Sequence, residues 1–429
     1  MKKSLLTAAI CLSVIFSGCT SVSDTKGTGP KNVIEETSQI NANLTDLMKL
    51  DKNALSDYDY TRFKDKNITL NVCNWGEYMA VEQEDYMDVN TEFEKLTGIN
   101  VNYKTFASNE ELYSKIKSGG ANYDVIVPSD YMISRMISEG ILDTINYENI
   151  PNFKYINENL RNPDYDPDNL YSVPYTMGFV AIVYNKTMID GDITGYKDLW
   201  DSRYSGQILM FNNPRDAFGI ALTYLGYSQN TEDKDELDEA AQILKEQKKY
   251  VQAYVMDEIF DKMEGGSAAI APYYAGDVNT MIDENPDLDY CIPEEGTNRF
   301  VDAFCIPKDA QNKEAAEMYI NFMNEIQIAY ANTDYLCYTT VHDGVAELFD
   351  EETKNNELRC PDSDYLDEKT EVFINLSKET NDYTQELWNQ IKIDKSKSAW
   401  LVPILLAAAV GFTVFINVRR SKKKKQDIF

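Results

Sequence analysis

Apolar and polar positions fall into a regular order from Ile68 onward. Ile68–Cys73 has the pattern of a sheet strand, and Glu82–Leu96 that of a helix, stopped by Gly98. Ile99–Tyr103 is again strand-like. Ser108-Asn-Glu-Glu111 is a capping box that opens a helix ending at Gly119-Gly120. Tyr123-Asp-Val-Ile-Val-Pro128 is a buried strand, and Tyr131–Glu139 a helix stopped by Gly140. Strand-helix alternation of this kind predicts a parallel sheet. A second group follows: strands at Phe179–Tyr184 and Gln207–Met210, a helix from about Phe218, a charged helix Asp235–Tyr250 and a short strand Ala268–Ala271. Then come strand Phe300–Ile306, helix Ala310–Met323 and late helices out to Ile391. The expectation is two α/β lobes, with the chain crossing between them near Tyr175–Gly178 and near Thr297–Val301.

The two ends follow different patterns. Residues 1–18 carry Lys2 and Lys3, an apolar run from Leu5 to Phe16 and then small residues, as a secretory signal peptide does. Phe16-Ser17-Gly18-Cys19 resembles a bacterial lipobox, with Phe where Leu is usual, which makes Cys19 the expected lipidation site. Residues 19–65, rich in Ser, Thr, Asn, Gly and Lys, read as a tether. At the other end, Ala399–Val418 is 20 residues without a charge, long enough to cross a bilayer. Arg419, Arg420 and Lys422–Lys425 follow it, so residues 419–429 are the expected cytoplasmic tail and the region before 399 faces outward.

Charge and rare residues narrow the chemistry. The 429-residue chain carries a net charge of −30, which repels nucleic acid and attracts cations. Five cysteines lie in the exported region (Cys73, Cys291, Cys305, Cys337, Cys360), an odd number with no C-x-x-C spacing, so a disulfide framework is not expected. A single histidine, His342, argues against His-rich metal sites and Ser-His-Asp catalysis. Nothing resembles a nucleotide-binding P-loop.

In open α/β sheets, ligands sit beyond the C-terminal ends of strands. Three loops are expected there: Trp75-Gly-Glu-Tyr78, Pro128-Ser-Asp-Tyr131 and Tyr273-Tyr-Ala-Gly-Asp277, each with an aromatic and an acid. With 71 acids in the chain, any one of them is more simply a solvated charge, and any one ring more simply core. Together they suit a ligand of methylenes and ammonium groups. Ring faces attract cations by roughly 0.5–2 kcal/mol per contact, and carboxylates replace the water that each ammonium loses.

Residues 68 to about 392 resemble the spermidine/putrescine-binding proteins of ABC importers, a branch of the two-lobed solute-binding proteins. The stretches that carry the resemblance are Asn74–Tyr78, Tyr123–Tyr131, Ser172–Tyr175, Lys197–Trp200, Leu225–Ser228, Tyr274–Asp277, Val301–Lys308 and Tyr338–Thr340. The resemblance implies a type II periplasmic-binding-protein fold with a hinge and an interlobe cleft. One lobe would be 66–177 with 302–350, the other 178–301 with 351–392. It places Trp75, Tyr78, Tyr274, Phe300 and Tyr338 in the ligand wall, with Glu77, Ser129 and Tyr131 beside them. Asn213, Asp216, Asp277 and Asp302 are the implied polar contacts, and Asp302 is the family's most telling acid. Asn213 stands where spermidine-type members carry an acid, Gly76 where relatives carry a hydroxyl, Tyr274 for tryptophan and Val341-His342 for Pro-Asn. The missing acid at 213 and the presence of Asp277 tilt the reading toward putrescine over spermidine. A further polar ligand near Ile374 or Asn375 is not fixed by this alignment.

The expected function is that of a monomeric, membrane-anchored extracytoplasmic receptor. It closes over a polyamine and delivers it to ABC permease subunits served by a separate ATPase. No catalytic residue, metal or cofactor is expected. The alternatives are a receptor for iron(III) (Tyr273-Tyr274 being adjacent tyrosines) or another organic amine, a cell-surface carbohydrate-active enzyme with paired acids, and a sensor or adhesion domain without transport.

Overall fold

The computed structural model describes residues 47–83 and 86–393. Eleven strands among them form one continuous sheet. Strands β1 (Thr69–Trp75), β2 (Asn100–Phe106) and β3 (Val125–Ile126) pair in parallel, as their intervening helices dictate. Two long strands then run antiparallel to each other: β4 (Ser172–Asn185) and β9 (Thr297–Cys305), in register from Ser172–Cys305 to Phe179–Arg299. Beyond β4 lie β7 (Ile270–Tyr274), β5 (Ile208–Phe211) and β6 (Val251–Val255), giving the order β2-β1-β3-β9-β4-β7-β5-β6. The short strands Leu288–Cys291 and Thr339–Thr340 pair with β4, and Thr370–Val372 pairs with β9.

The two largest hydrophobic cores pack on opposite ends of this sheet. One gathers Leu70 and Val72 of β1, Phe93, Val125, Val173 of β4, Phe304 of β9, Tyr319 and Phe322. The other gathers Phe179–Val183 of β4, Leu209 and Phe211 of β5, Phe218, Leu244, Ile270, Met281 and Trp388. A single strand, β4, therefore enters one core with Val173 and the other with Phe179. Its register with β9 slips between Pro174 and Thr176. Proline has no N–H to complete the ladder, and the hydroxyl of Tyr175 instead donates to the Tyr78 carbonyl at 3.0 Å.

The structure differs from the sequence reading at several boundaries. The expected helix Glu82–Leu96 begins only at Val89, because the Asp88 carboxylate caps it by accepting from the Thr91 N–H at 2.7 Å. The helix expected from Phe218 begins at Pro214, capped by Asn213. The charged helix ends at Gln247 rather than Tyr250. Strand β6, directly after it, was not foreseen. The stretch 19–65, read as a tether, is packed from Leu50 onward. Leu50 and Tyr60 join the first core, and Tyr60 donates to Glu325 at 2.6 Å while accepting from Asn321 at 2.9 Å.

The five cysteines are free, with Cys73, Cys305 and Cys337 buried. Among the described residues no helix is long and apolar enough to cross a membrane. The expected leader 1–18, Cys19, the span 399–418 and the tail 419–429 lie outside the described residues.

Phe93 is fully buried, with ring centroids 5.1 Å from Tyr319 and 5.3 Å from Phe322. Phe93→Ala is expected to cost about 3–5 kcal/mol of stability through the cavity it leaves. Denaturant unfolding checks this.

Candidate ligand-binding site

The first wall is the end of β1. Trp75 is its last residue, opposite Phe106 of β2, and the two rings lie 4.5 Å apart. Asn74 ties the turn that follows, accepting from the Trp75 N–H at 2.8 Å and donating to the Tyr78 carbonyl at 3.1 Å. This holds Glu77 at a φ of 47°, a left-handed conformation that costs a side-chain-bearing residue roughly 1–2 kcal/mol. Strain of this sort persists where the surroundings impose it, often at functional sites. Tyr78 emerges from the turn buried, and its hydroxyl donates to Asp302 Oδ2 at 2.7 Å and meets Thr176 Oγ1 at 2.6 Å. Thr176 and Asp302 are register partners on β4 and β9, so this chain of hydrogen bonds crosses the sheet where the two long strands pass between the cores.

Asp302 is 3% exposed, and its second oxygen, Oδ1, is buried with no hydrogen-bond partner in the protein. Burial raises its carboxyl to about 6, moderated by the nearby hydroxyls of Ser129 and Tyr78, of which Tyr78 is the one within hydrogen-bond distance. An unpaired buried carboxylate oxygen is costly unless something outside the protein completes it. Ser129 is fixed by Asn109, which donates to Ser129 Oγ at 3.1 Å and accepts from its N–H at 3.1 Å. Asp130, the acid of that loop, gives its carboxylate to the backbone N–H groups of Tyr131 and Val301 at 2.7 and 3.0 Å. Tyr131 donates to Glu110 at 3.0 Å.

The opposite wall comes from the second half of the sheet. Asp216 lies in the first turn of the helix Pro214–Leu225, where its Oδ2 accepts from Asn213 Nδ2 and from the Tyr274 hydroxyl at 3.1 Å. Tyr274 ends β7, with its ring 5.4 Å from Phe300, which is 6.3 Å from Tyr338. The Tyr338 hydroxyl donates to Asp277 Oδ2 at 3.1 Å. Glycines let these rings close up: a Cβ on Gly178 would lie 2.6 Å from Phe300 Cζ, and one on Gly276 only 2.0 Å from the Tyr338 ring. Burial raises the Asp216 and Asp277 carboxyls, each to about 7.

These walls line one cleft with a free cavity of about 70 Å³. The structure brings together the residues singled out above: Trp75, Glu77, Tyr78, Ser129, Tyr131, Asn213, Asp216, Tyr274, Asp277, Phe300, Asp302 and Tyr338 all line it. Among the lining residues that sequence reasoning missed are Asp257 and Phe373. Asp257 follows the unforeseen strand β6, and Phe373 follows the three-residue strand Thr370–Val372, so neither carried a strand-end signal. Ile374 points away, 53% exposed. Among the described residues no group of three or more His, Cys, Asp and Glu could hold a metal ion. Burial raises the phenols of Tyr273 and Tyr274 well above their usual range, which disfavours the phenolates that adjacent-tyrosine iron sites require.

A family profile for bacterial extracellular solute-binding proteins matches residues 89–359. The chain belongs to this family. The solute-binding protein is 33% identical over 308 residues to the spermidine/putrescine-binding periplasmic protein of Escherichia coli (strain K12), covering 70% of this chain and 86% of the relative. It is 28% identical over 349 residues to the putrescine-binding periplasmic protein SpuD of Pseudomonas aeruginosa (strain UCBPP-PA14), covering 77% and 93%. Among solved structures, a putative spermidine/putrescine ABC transporter from Listeria monocytogenes superposes with a TM-score of 0.72 at 37% identity, covering 76% of this chain and 99% of that one.

In the ligand-free solute-binding protein, Asp216, Asp277 and Asp302 have carboxyls raised above their unfolded values. The stability such groups contribute is fully present below about pH 4 and lost as pH rises through about 6–7. Asp277→Asn keeps an acceptor for Tyr338 and removes the charge. It is expected to raise the ligand-free melting temperature at pH 8, by roughly 2–4 °C per kcal/mol relieved, and to lose most of that advantage by pH 5. Thermal scans of both proteins across this range check it.

Proposed function

We propose that the protein is an extracytoplasmic polyamine receptor of an ABC importer. The observation that carries this reading is the buried, unpartnered Oδ1 of Asp302 inside an aromatic-walled cleft. A linear polyamine meets both requirements of such a cleft. Its methylenes pack on Trp75, Tyr274, Phe300 and Tyr338, and its ammonium groups pair with Asp302, Asp216 and Asp277. The similarity to proteins named for spermidine and putrescine binding supports the same ligand class.

The two cores act as lobes, 66–177 with 302–350 and 178–301 with 351–392, hinged on β4 and β9. Closure over the ligand removes water and strengthens the acid–ammonium pairs. The closed form docks on permease subunits whose ATPase is a separate chain, and binding and release involve no covalent chemistry. Lipidated Cys19 and the apolar stretch 399–418 hold the receptor to the outer face of the membrane, the span being the firmer anchor because one acyl chain binds weakly. The absence of an acid at 213 favours the diamine over the triamine.

Calorimetry with putrescine, spermidine and spermine tests this directly. One of them is expected to bind clearly, and binding of a metal ion or sugar with no polyamine response would refute it. Asp302→Ala is expected to weaken binding by about 3–5 kcal/mol, more than a hundredfold, because it leaves an ammonium buried without its partner. Asn213→Asp places a second carboxylate beside Asp216 and is expected to shift preference toward spermidine. An unchanged ratio of affinities would show that position 213 does not read the third charge.

A further inference from the structure

Gly76 stands where the resemblance leads one to expect a hydroxyl residue, and the structure shows what occupies that space. A Cβ on Gly76 would lie 2.9 Å from Asp257 Oδ2. Gly76 follows β1, from the half of the sheet that packs on the first core. Asp257 follows β6, from the half that packs on the second. The glycine thus lets a carboxylate from one wall reach across and rest on the backbone of the other.

Glu77, Asp257 and Asp277 all line the cleft. They repel one another: Glu77 and Asp257 both raise the Asp277 carboxyl, and Glu77 raises that of Asp257. Among the described residues no lysine or arginine registers as an influence on either aspartate. Within the same cavity the buried Oδ1 of Asp302 lacks any protein partner. An acidic cluster by itself is only a solvated surface. This one faces an aromatic-walled cleft that already holds an uncompleted carboxylate. Glu77 is also held in a left-handed conformation that presents it there.

We propose that Asp257 is a ligand-binding acid admitted to the cleft by Gly76, and that with Glu77 and Asp277 it forms a port for one terminal ammonium of the ligand. The port rests on the polyamine reading above and deepens it. A primary ammonium has three N–H donors and can serve carboxylates from both walls at once. Like charges face each other across the open cleft and are bridged only when the cation enters, so the port also favours the closed form in the liganded state.

The experiment is titration calorimetry of the full chain in detergent with putrescine and spermidine, on wild type, Asp257→Asn, Gly76→Ala and the double variant. Asp257→Asn is expected to weaken the preferred polyamine about tenfold, and Gly76→Ala by a similar factor because the new methyl displaces the Asp257 carboxylate. The double variant is expected to lose no more than either single one, since both remove the same contact. Thermal scans confirm that each variant is folded; Asp257 is exposed at the rim and Gly76 does not use a glycine-only conformation. Wild-type affinity in Asp257→Asn overturns the port and leaves the polyamine reading standing. Additive losses overturn the pairing of Gly76 with Asp257. Failure of the wild type to bind any polyamine overturns the reading itself.

Discussion

Buried carboxylates that form no salt bridge among the described residues govern this structure. Asp216 and Asp302 are buried and Asp277 is half-buried, and the protein answers them chiefly with dipoles: hydroxyls from Tyr78, Tyr274 and Tyr338, and the amide of Asn213. Each donor satisfies part of one carboxylate and leaves the rest open. A full salt bridge within the protein would have neutralised the acids and closed the site to a cationic ligand. Dipolar partners keep the acids in place at a cost in stability that only an incoming cation fully offsets.

The same side chains set the shape of the cleft. Tyr78, Tyr274 and Tyr338 hold acids with their hydroxyls and present ring faces with the rest of the side chain, so a change to either duty disturbs the other. Their placement depends on the sheet. Thr176 and Asp302 are register partners on β4 and β9, the strands that connect the two cores. In the proposed closure about these strands, the walls would move while Asp302 stayed with the hinge. Gly178 and Gly276 have no side chains at the two points where a Cβ would strike Phe300 or Tyr338.

Much of this was legible in the sequence because a parallel sheet exposes its loops at one edge. Strand patterns at Ile68–Cys73 and Tyr123–Pro128 were strong enough to place Trp75, Tyr78, Ser129 and Tyr131 together. What was illegible had physical reasons. The helix at Pro214 begins on the Asn-Pro start signal, while its apolar periodicity emerges only at Phe218, and the periodicity drew the boundary too late. Strand β6 has mostly half-exposed side chains and follows a helix without a break, so its pattern merged with that of the helix and Asp257 went unnoticed. Thr370–Val372 exists only through its pairing with β9, a long-range contact that no local pattern reveals. The packed part of 19–65 rests on a few isolated apolar residues, Leu50 and Tyr60 among them, too sparse to show a period.

The acids of the cleft are not electrostatically equivalent. Arg215 is half-buried beside Asp216, its guanidinium 4.2 Å over the Phe373 ring and its terminal nitrogens donating to the Gln229 carbonyl and Asn230. It lowers the Asp216 carboxyl, and Asp216 in turn favours its charge, although burial pulls the guanidinium down to about 10. No cation acts in this way on Asp277 or Asp302 among the described residues. In the proposed complex an ammonium beside Asp216 would meet Arg215 as well as the acids Glu110 and Asp302, while one beside Asp302 or Asp277 would meet no cation of the described residues. In the proposed reading the Asp216 side would decide whether a further ammonium fits, because position 213, which could supply another carboxylate, here supplies only an amide.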